Sequence, residues 1–161
     1  MMIKAIVYNS STGHTSRYAK MLSEKLDIPC YTIKDANGKL NSKDEIIYLS
    51  WVCANMITRI NKIKNKYNVR CYGVVGLYPK SEENTNNLIK TNNIDKPLFY
   101  LQGGLDYNKL NWLKTKILHM VGKHLEKENN NQSTQLAKIF ENGADFVTEE
   151  NLKEIIEFLE K

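Results

Sequence analysis

Five short apolar runs, alternating with helix-patterned or helix-capped segments and, after the second, with the polar stretch Asp35 to Lys43 and its Asn37-Gly38 turn signal, constrain this chain more than any other feature. The runs are Ile3 to Tyr8, Tyr31 to Ile33, Glu45 to Ser50, Cys71 to Leu77 and Pro97 to Leu101. After the first come Tyr18, Ala19, Leu22 and Leu26, and after the third Ile57, Ile60, Ile63 and Tyr67, each set marking one helix face. Ser81 followed by Glu82 and Glu83 reads as an N-cap with first-turn acids. Leu152, Ile155, Ile156 and Leu159 give a last helix, started near Thr148. Strands alternating with helices make βαβ units, hence a parallel sheet with helices on both faces. Right-handed crossovers restrict the topology further.

The first of these junctions is where the chemistry is expected. It reads Tyr8-Asn9-Ser10-Ser11-Thr12-Gly13-His14-Thr15-Ser16-Arg17. A helix start has backbone N–H groups without intrahelical partners and carries the positive end of the peptide dipoles, so it suits a phosphate. Gly13 lets the backbone approach an anion, and Ser10, Ser11, Thr12 and Thr15 offer four hydroxyls within six residues. Each hydrogen bond to a charged oxygen is worth roughly 1.5–3 kcal/mol, so a few hold a phosphate without a lysine. Neither the Gly-Lys-Ser/Thr ending of a nucleotide-hydrolase loop nor a three-glycine dinucleotide fingerprint is present. The plainer alternative is a helix capped by a hydroxyl residue after an ordinary loop.

Ser10-x-Thr12-Gly13-x-Thr15, directly after the first strand, resembles the phosphate loop of the flavodoxins, which binds the 5′-phosphate of FMN. The resemblance implies an α/β, flavodoxin-like, doubly wound five-stranded parallel sheet of order 2-1-3-4-5, with the ligand beyond the carboxyl ends of strands one and three. It assigns the phosphate to Ser10, Ser11, Thr12, Gly13, His14 and Thr15. His14 reads more simply as an exposed loop residue, with a bond to the phosphate or a place near the ring as the alternative. The loop Ser50 to Asn55, with Trp51, Val52, Cys53, Ala54 and Asn55, would lie against the dimethylbenzene side of the isoalloxazine, and Tyr78 against its other face. Stacking of Trp51 would add roughly 0.5–1.5 kcal/mol beyond area burial. An aromatic at a strand end also serves as a plain lid on the core. Gly76-Leu77-Tyr78-Pro79-Lys80 departs from the electron carriers of the family, which place an acid there.

The stretch Phe99-x-x-x-Gly103-Gly104-Leu105-Asp106-Tyr107-x-Lys109-Leu110-x-Trp112-Leu113 is similar to the corresponding part of the menaquinone-dependent protoporphyrinogen dehydrogenase family, a flavodoxin-fold group. That resemblance implies FMN as cofactor, porphyrinogen oxidation as activity, and a quinone or membrane chain as electron sink. A general flavodoxin-like carrier serving a redox partner protein, and a non-enzymatic binding module of the same fold, are the rival readings. No Ser-His-Asp set, carboxylate pair or metal site supports a hydrolase, and no catalytic side chain is singled out.

At 161 residues the chain is expected to be one domain over 1–161, burying roughly 70% of its unfolded surface. No apolar run approaches the roughly 20 residues of a membrane span, and the N-terminal apolar segment, of strand length, does not read as a signal peptide. A cytoplasmic protein is expected. Cys30, Cys53 and Cys71 are odd in number, form no C-x-x-C, and are expected to be buried thiols in a reducing compartment. His14, His119 and His124 lack ligand spacing, so no metal is expected.

The net charge is +5, and most of the excess lies between Lys109 and Lys127, where five lysines face a single acid, Glu126. Leu110, Leu113, Ile117, Met120 or Val121, and Leu125 recur there at three- and four-residue steps. The expectation is a helix that packs this apolar face on the sheet and keeps its lysines in water, with a weak tendency of residues 109–127 to meet anionic membrane from the inner face. No nucleic-acid motif accompanies the charge. A basic setting stabilises an anionic reduced ring, so the midpoint potential is expected to lie above that of an acidic carrier. Glu128 to Gln135 reads as a polar loop, and Gln135 to Phe146 as weakly helical.

Overall fold

The computed structural model describes residues 2–128 and 131–161. Its main sheet is built from β1 (Ala5–Tyr8), β2 (Cys30–Thr32), β3 (Glu45–Cys53), β5 (Asn68–Gly76) and β6 (Leu98–Gln102), with a two-residue β4 (Met56–Ile57) folded back on the end of β3. Among the described residues the parallel strands run in the order β2-β1-β3-β5-β6. Counted without the β4 hairpin, that is the 2-1-3-4-5 order expected from the sequence. Ala5, Ile6, Val7 and the run Ile46–Ser50 are fully or almost fully buried, as strands covered on both faces require.

Helices α1 (His14–Leu26) and α7 (Lys153–Leu159) cover one face, where Tyr18, Ala19, Leu22, Leu152 and Ile155 pack on Ile6, Ile47, Leu49 and Leu101. Helices α2 (Ile33–Ala36), α3 (Ile60–Lys64) and α4 (Glu82–Thr91) cover the other, where Ala36, Ile60, Ile63 and Leu88 meet Val7, Ile46, Tyr48 and Val74. Ser81 caps α4 as its sequence context predicts, its hydroxyl accepting from the Asn84 amide.

Several boundaries differ from the sequence reading. Ile33 opens α2 rather than closing the second strand, because Thr32 and Asp35 form a helix cap there. Ile57 sits on β4, so the helix expected from residue 57 shortens to α3, and Tyr67 packs in from the loop that follows. The third strand continues past Ser50: Trp51, Val52 and Cys53 belong to β3, with Trp51 in register with Val75 and Val52 with Ile57. The expected loop Ser50 to Asn55 therefore contracts to Ala54 and Asn55, both at positive φ (47° and 62°), a two-residue hairpin turn. The cysteines are not uniformly buried. Cys71 is buried and Cys30 partly so, whereas Cys53 is exposed at the end of β3.

Beyond β6 the chain makes an excursion. A two-stranded ladder of β7 (Gly104–Leu105) and β8 (Ala144–Asp145) closes its base, and α5 (Trp112–Leu125) and α6 (Asn131–Asn142) form its body. Leu105, Leu136, Ile139 and Phe140 make a third small core there, with Leu77, Leu110, Leu118 and Leu125 packed against it. Two expectations fail here. Residues 131–135, read as loop, open α6, while Asn129 and Asn130 of that stretch lie outside the described residues. Helix α5 turns Leu118, Gly122 and Leu125 toward α6 and leaves Leu113, Ile117, Met120 and Val121 in solvent, instead of packing them on the sheet.

Candidate functional site

The turn between β1 and α1 is held open by its own side chains. Gly13 stands at φ +100° as the N-cap of α1, a conformation that disfavours a Cβ. Its amide donates to Ser10 Oγ at 3.2 Å, and Ser16 Oγ donates to the Gly13 carbonyl at 2.8 Å. No side chain caps the helix, so the first-turn amides of His14, Thr15 and Ser16 are left for an outside acceptor. Ser11 is exposed and Ser10 and Thr12 half-exposed around them, while Thr15 is buried beneath. The Lys109 ammonium stands 3.0 Å from where a Gly13 Cβ would be, placing a cation over the turn.

His14 is not the exposed loop residue of the sequence reading. It is the first residue of α1 and only 7% exposed, its ring against the backbone of Gly104, where a Cβ would come within 2.6 Å of Nε2. Nδ1 lies 3.1 Å from Thr12 Oγ1, and Nε2 4.0 Å from Asp145, which Arg17 holds by a 2.6 Å ion pair. The tautomer with its proton on Nε2 faces Asp145 and lets Nδ1 accept from Thr12. Burial lowers the imidazole pKa below its ordinary 6.5; Asp145 opposes that shift, and Arg17 and Lys109 add to it. His14 is thus a neutral ring at pH 7 that fixes the Thr12 hydroxyl.

A second wall is built by the end of β3 and its hairpin, organised by two residues that sequence reasoning missed. Thr58, just after β4, bonds through its amide and its hydroxyl to the Trp51 carbonyl (3.1 and 3.0 Å). Its carbonyl accepts from the Tyr48 and Ser50 hydroxyls, and its Oγ1 accepts from Asn9 Nδ2 at 2.8 Å. Asn9 also donates its amide to the Leu49 carbonyl, so the β1–α1 turn and the β3 end are tied by one residue. Buried Asn92, at the end of α4, accepts from the Ile57 amide and donates to the Asn55 and Leu88 carbonyls, all at 2.8–2.9 Å. The pairing of Thr58 and Asn92 with these partners spans strands and helices, so no local spacing announces it.

Trp51 is half-buried in that wall. Tyr78, three residues past Val75 on the neighbouring strand, is 44% exposed, and its carbonyl accepts from the Tyr100 hydroxyl at 2.9 Å. Ser10–Thr15, the β3 end with Ala54 and Asn55, and Tyr78 therefore share the carboxyl edge of β1, β3 and β5. Two open cavities flank the turn. One, of about 430 Å³, lies on the β2 side between Tyr8, Asn9, Ser10 and Thr32 and the cations Lys34, Arg59 and Lys62. The other, of about 370 Å³, lies between Thr12–Arg17 and the segments 105–109 and 142–145. Trp51 and Tyr78 line neither.

A phosphate fits this turn: the backbone cradle is one a Cβ at Gly13 would obstruct, the helix amides are uncapped, hydroxyls surround them, and the Lys109 ammonium stands over Gly13. Residues 5–133 of the chain match the family model described as Flavodoxin domain. No curated protein and no solved structure matches the chain.

Proposed function

The chain belongs to the flavodoxin-domain family, whose domains bind FMN and transfer electrons, and from that premise we propose the residues that do so and a substrate class. Ser10, Ser11, Thr12, Gly13, His14 and Thr15 hold the monoester phosphate, through the uncapped α1 amides and the hydroxyls around them. His14 acts on the phosphate through Thr12, which it orients. Trp51, with Val52, Cys53, Ala54 and Asn55, forms one wall of the ring site, its strand paired with β5 and β4, and Tyr78 the other, its carbonyl held by the Tyr100 hydroxyl. Bound FMN supplies a ring that takes up two electrons and passes them on. The protein sets its orientation, its access to water and its potential.

The finer reading is a dehydrogenase of the protoporphyrinogen type with a quinone as acceptor. Two features support it over a small electron carrier. The stretch from Phe99 to Leu113 resembles the corresponding part of that group, and the cavity beside Ser10 gathers Lys34, Arg59 and Lys62 with no carboxylate in its lining, which suits a substrate bearing carboxylates such as a porphyrinogen.

The observation that carries the FMN assignment is the glycine-capped, side-chain-free start of α1. Titration of the flavin-free protein with FMN tests it. Quenched flavin fluorescence and a raised melting temperature are expected, and no change in either overturns it. Anaerobic turnover of protoporphyrinogen with a menaquinone analogue then tests the finer reading. Turnover supports the dehydrogenase, and a loaded protein without turnover leaves the carrier.

A further inference from the structure

Helix α5 has two faces with opposite surroundings. Leu118, Gly122 and Leu125 pack on α6, with Gly122 buried against Phe140. The rows Trp112–Lys116–Met120 and Leu113–Ile117–Val121 climb the other side at four-residue steps. Among the described residues nothing covers them: Trp112 is 74% exposed, Met120 67% and Leu113 52%, and Ile117 and Val121 are exposed as well. Five bulky apolar side chains in one strip differ from the scattered single exposures of an ordinary soluble surface.

The strip is bordered by cations. Lys109, Lys114, Lys116, Lys123 and Lys127 lie along it, with Glu126 the one acid in that span. Among the described residues only Lys109 of these lysines is ion-paired, with Asp106 at 3.5 Å. The Lys116 ammonium lies 6.0 Å from the Trp112 ring centroid, so its stem follows the ring while its charge stays in solvent.

We propose that this face of α5 docks on an anionic phospholipid bilayer, with Trp112, Leu113, Ile117, Met120 and Val121 entering the headgroup–acyl boundary and the lysines meeting lipid phosphates. The helix has 14 residues, too short to span a bilayer, so it lies in the plane of the interface. Charge decides for lipid over a second copy of the chain, because two such faces brought together would oppose two rows of lysines with a single acid, Glu126, on each to receive them. The proposal stands without the flavin reading, since none of these residues lines the phosphate turn except Lys109.

The test is co-sedimentation of the full chain with phosphatidylcholine vesicles, with and without phosphatidylglycerol. Binding to the anionic vesicles alone is expected, falling as salt is raised. A surface lysine contributes about fivefold to such partitioning, so the triple variant Lys114→Glu, Lys116→Glu, Lys123→Glu loses at least a hundredfold. Met120→Ser and Trp112→Ser each lose about tenfold. All the substituted side chains face solvent, and unchanged circular dichroism and melting temperature verify that the variants fold. Absence of binding to anionic vesicles at low salt overturns the proposal, as does binding that the charge reversals leave intact. A parent chain that sediments as a dimer and becomes monomeric on Met120→Glu overturns it too, assigning the face to a second copy.

Discussion

Thr12 and Thr15 flank Gly13 at the start of α1, one half-exposed and the other buried. Thr12→Ala and Thr15→Ala should each weaken FMN by about tenfold to a hundredfold, the loss of a hydrogen bond to a charged oxygen, as read by fluorescence titration. His14 gives a pH signature. The unfolded chain takes up the imidazole proton near 6.5, whereas in the folded protein burial delays it to lower pH. Between those values the unfolded state binds more protons, so stability should fall as pH drops below 6.5 and level off once the folded ring is charged. Urea unfolding at pH 7 and at pH 5 reads this, and His14→Asn should flatten the slope. That a turn with Gly13 opens a helix after the first strand was legible from the residue pattern. His14 was misjudged as exposed, although stepping back four residues from inward-facing Tyr18 lands on it, so the helix period carried the answer.

At the level of elements, the wall containing Trp51 is stiffer than a loop would be. Its residues pair with β4 and β5, and its tip is a two-residue turn clamped by Asn92. Asn92→Ala strands the Ile57 amide and the Asn55 carbonyl, an expected cost of about 1–3 kcal/mol in urea unfolding. The same variant should bind FMN more weakly, with faster proteolysis at Ala54-Asn55. The sequence indicated where β3 begins, since Glu45 precedes an unbroken apolar run. It hid where β3 ends, because Ala54-Asn55 lacks the glycine that usually marks such a hairpin. For α5 the period revealed an apolar stripe but not what the stripe faces. Two adjacent rows were nearly equivalent, and buried Gly122 chose between them by allowing α6 close to one.

Across the whole molecule, the alternation of strand and helix patterns implied a parallel sheet with helices on both faces and few topologies, and the resemblance of the first turn to flavodoxins supplied the strand order that the structure shows. The excursion between β7 and β8 was not legible as a unit, since its closing ladder is two residues long on each side. No described helix is long and apolar enough to cross a membrane. The cavity beside Ser10 is lined by Lys34, Arg59 and Lys62 without a carboxylate, the loop between β5 and α4 carries no acid, and the net charge is +5. A redox titration of the FMN-loaded protein should therefore give a midpoint potential above that of acidic flavodoxin carriers, and a carrier-like low value would contradict the electrostatic argument.

Lys109 belongs to two neighbourhoods at once: its ammonium overhangs Gly13, while its backbone leads into the segment that starts α5. If the turn holds the FMN phosphate as proposed, an event that repositions that segment shifts the affinity of the turn for it, and occupancy of the turn shifts the segment by the same factor. Under the two proposals above, phosphate binding and membrane docking are linked through a single side chain.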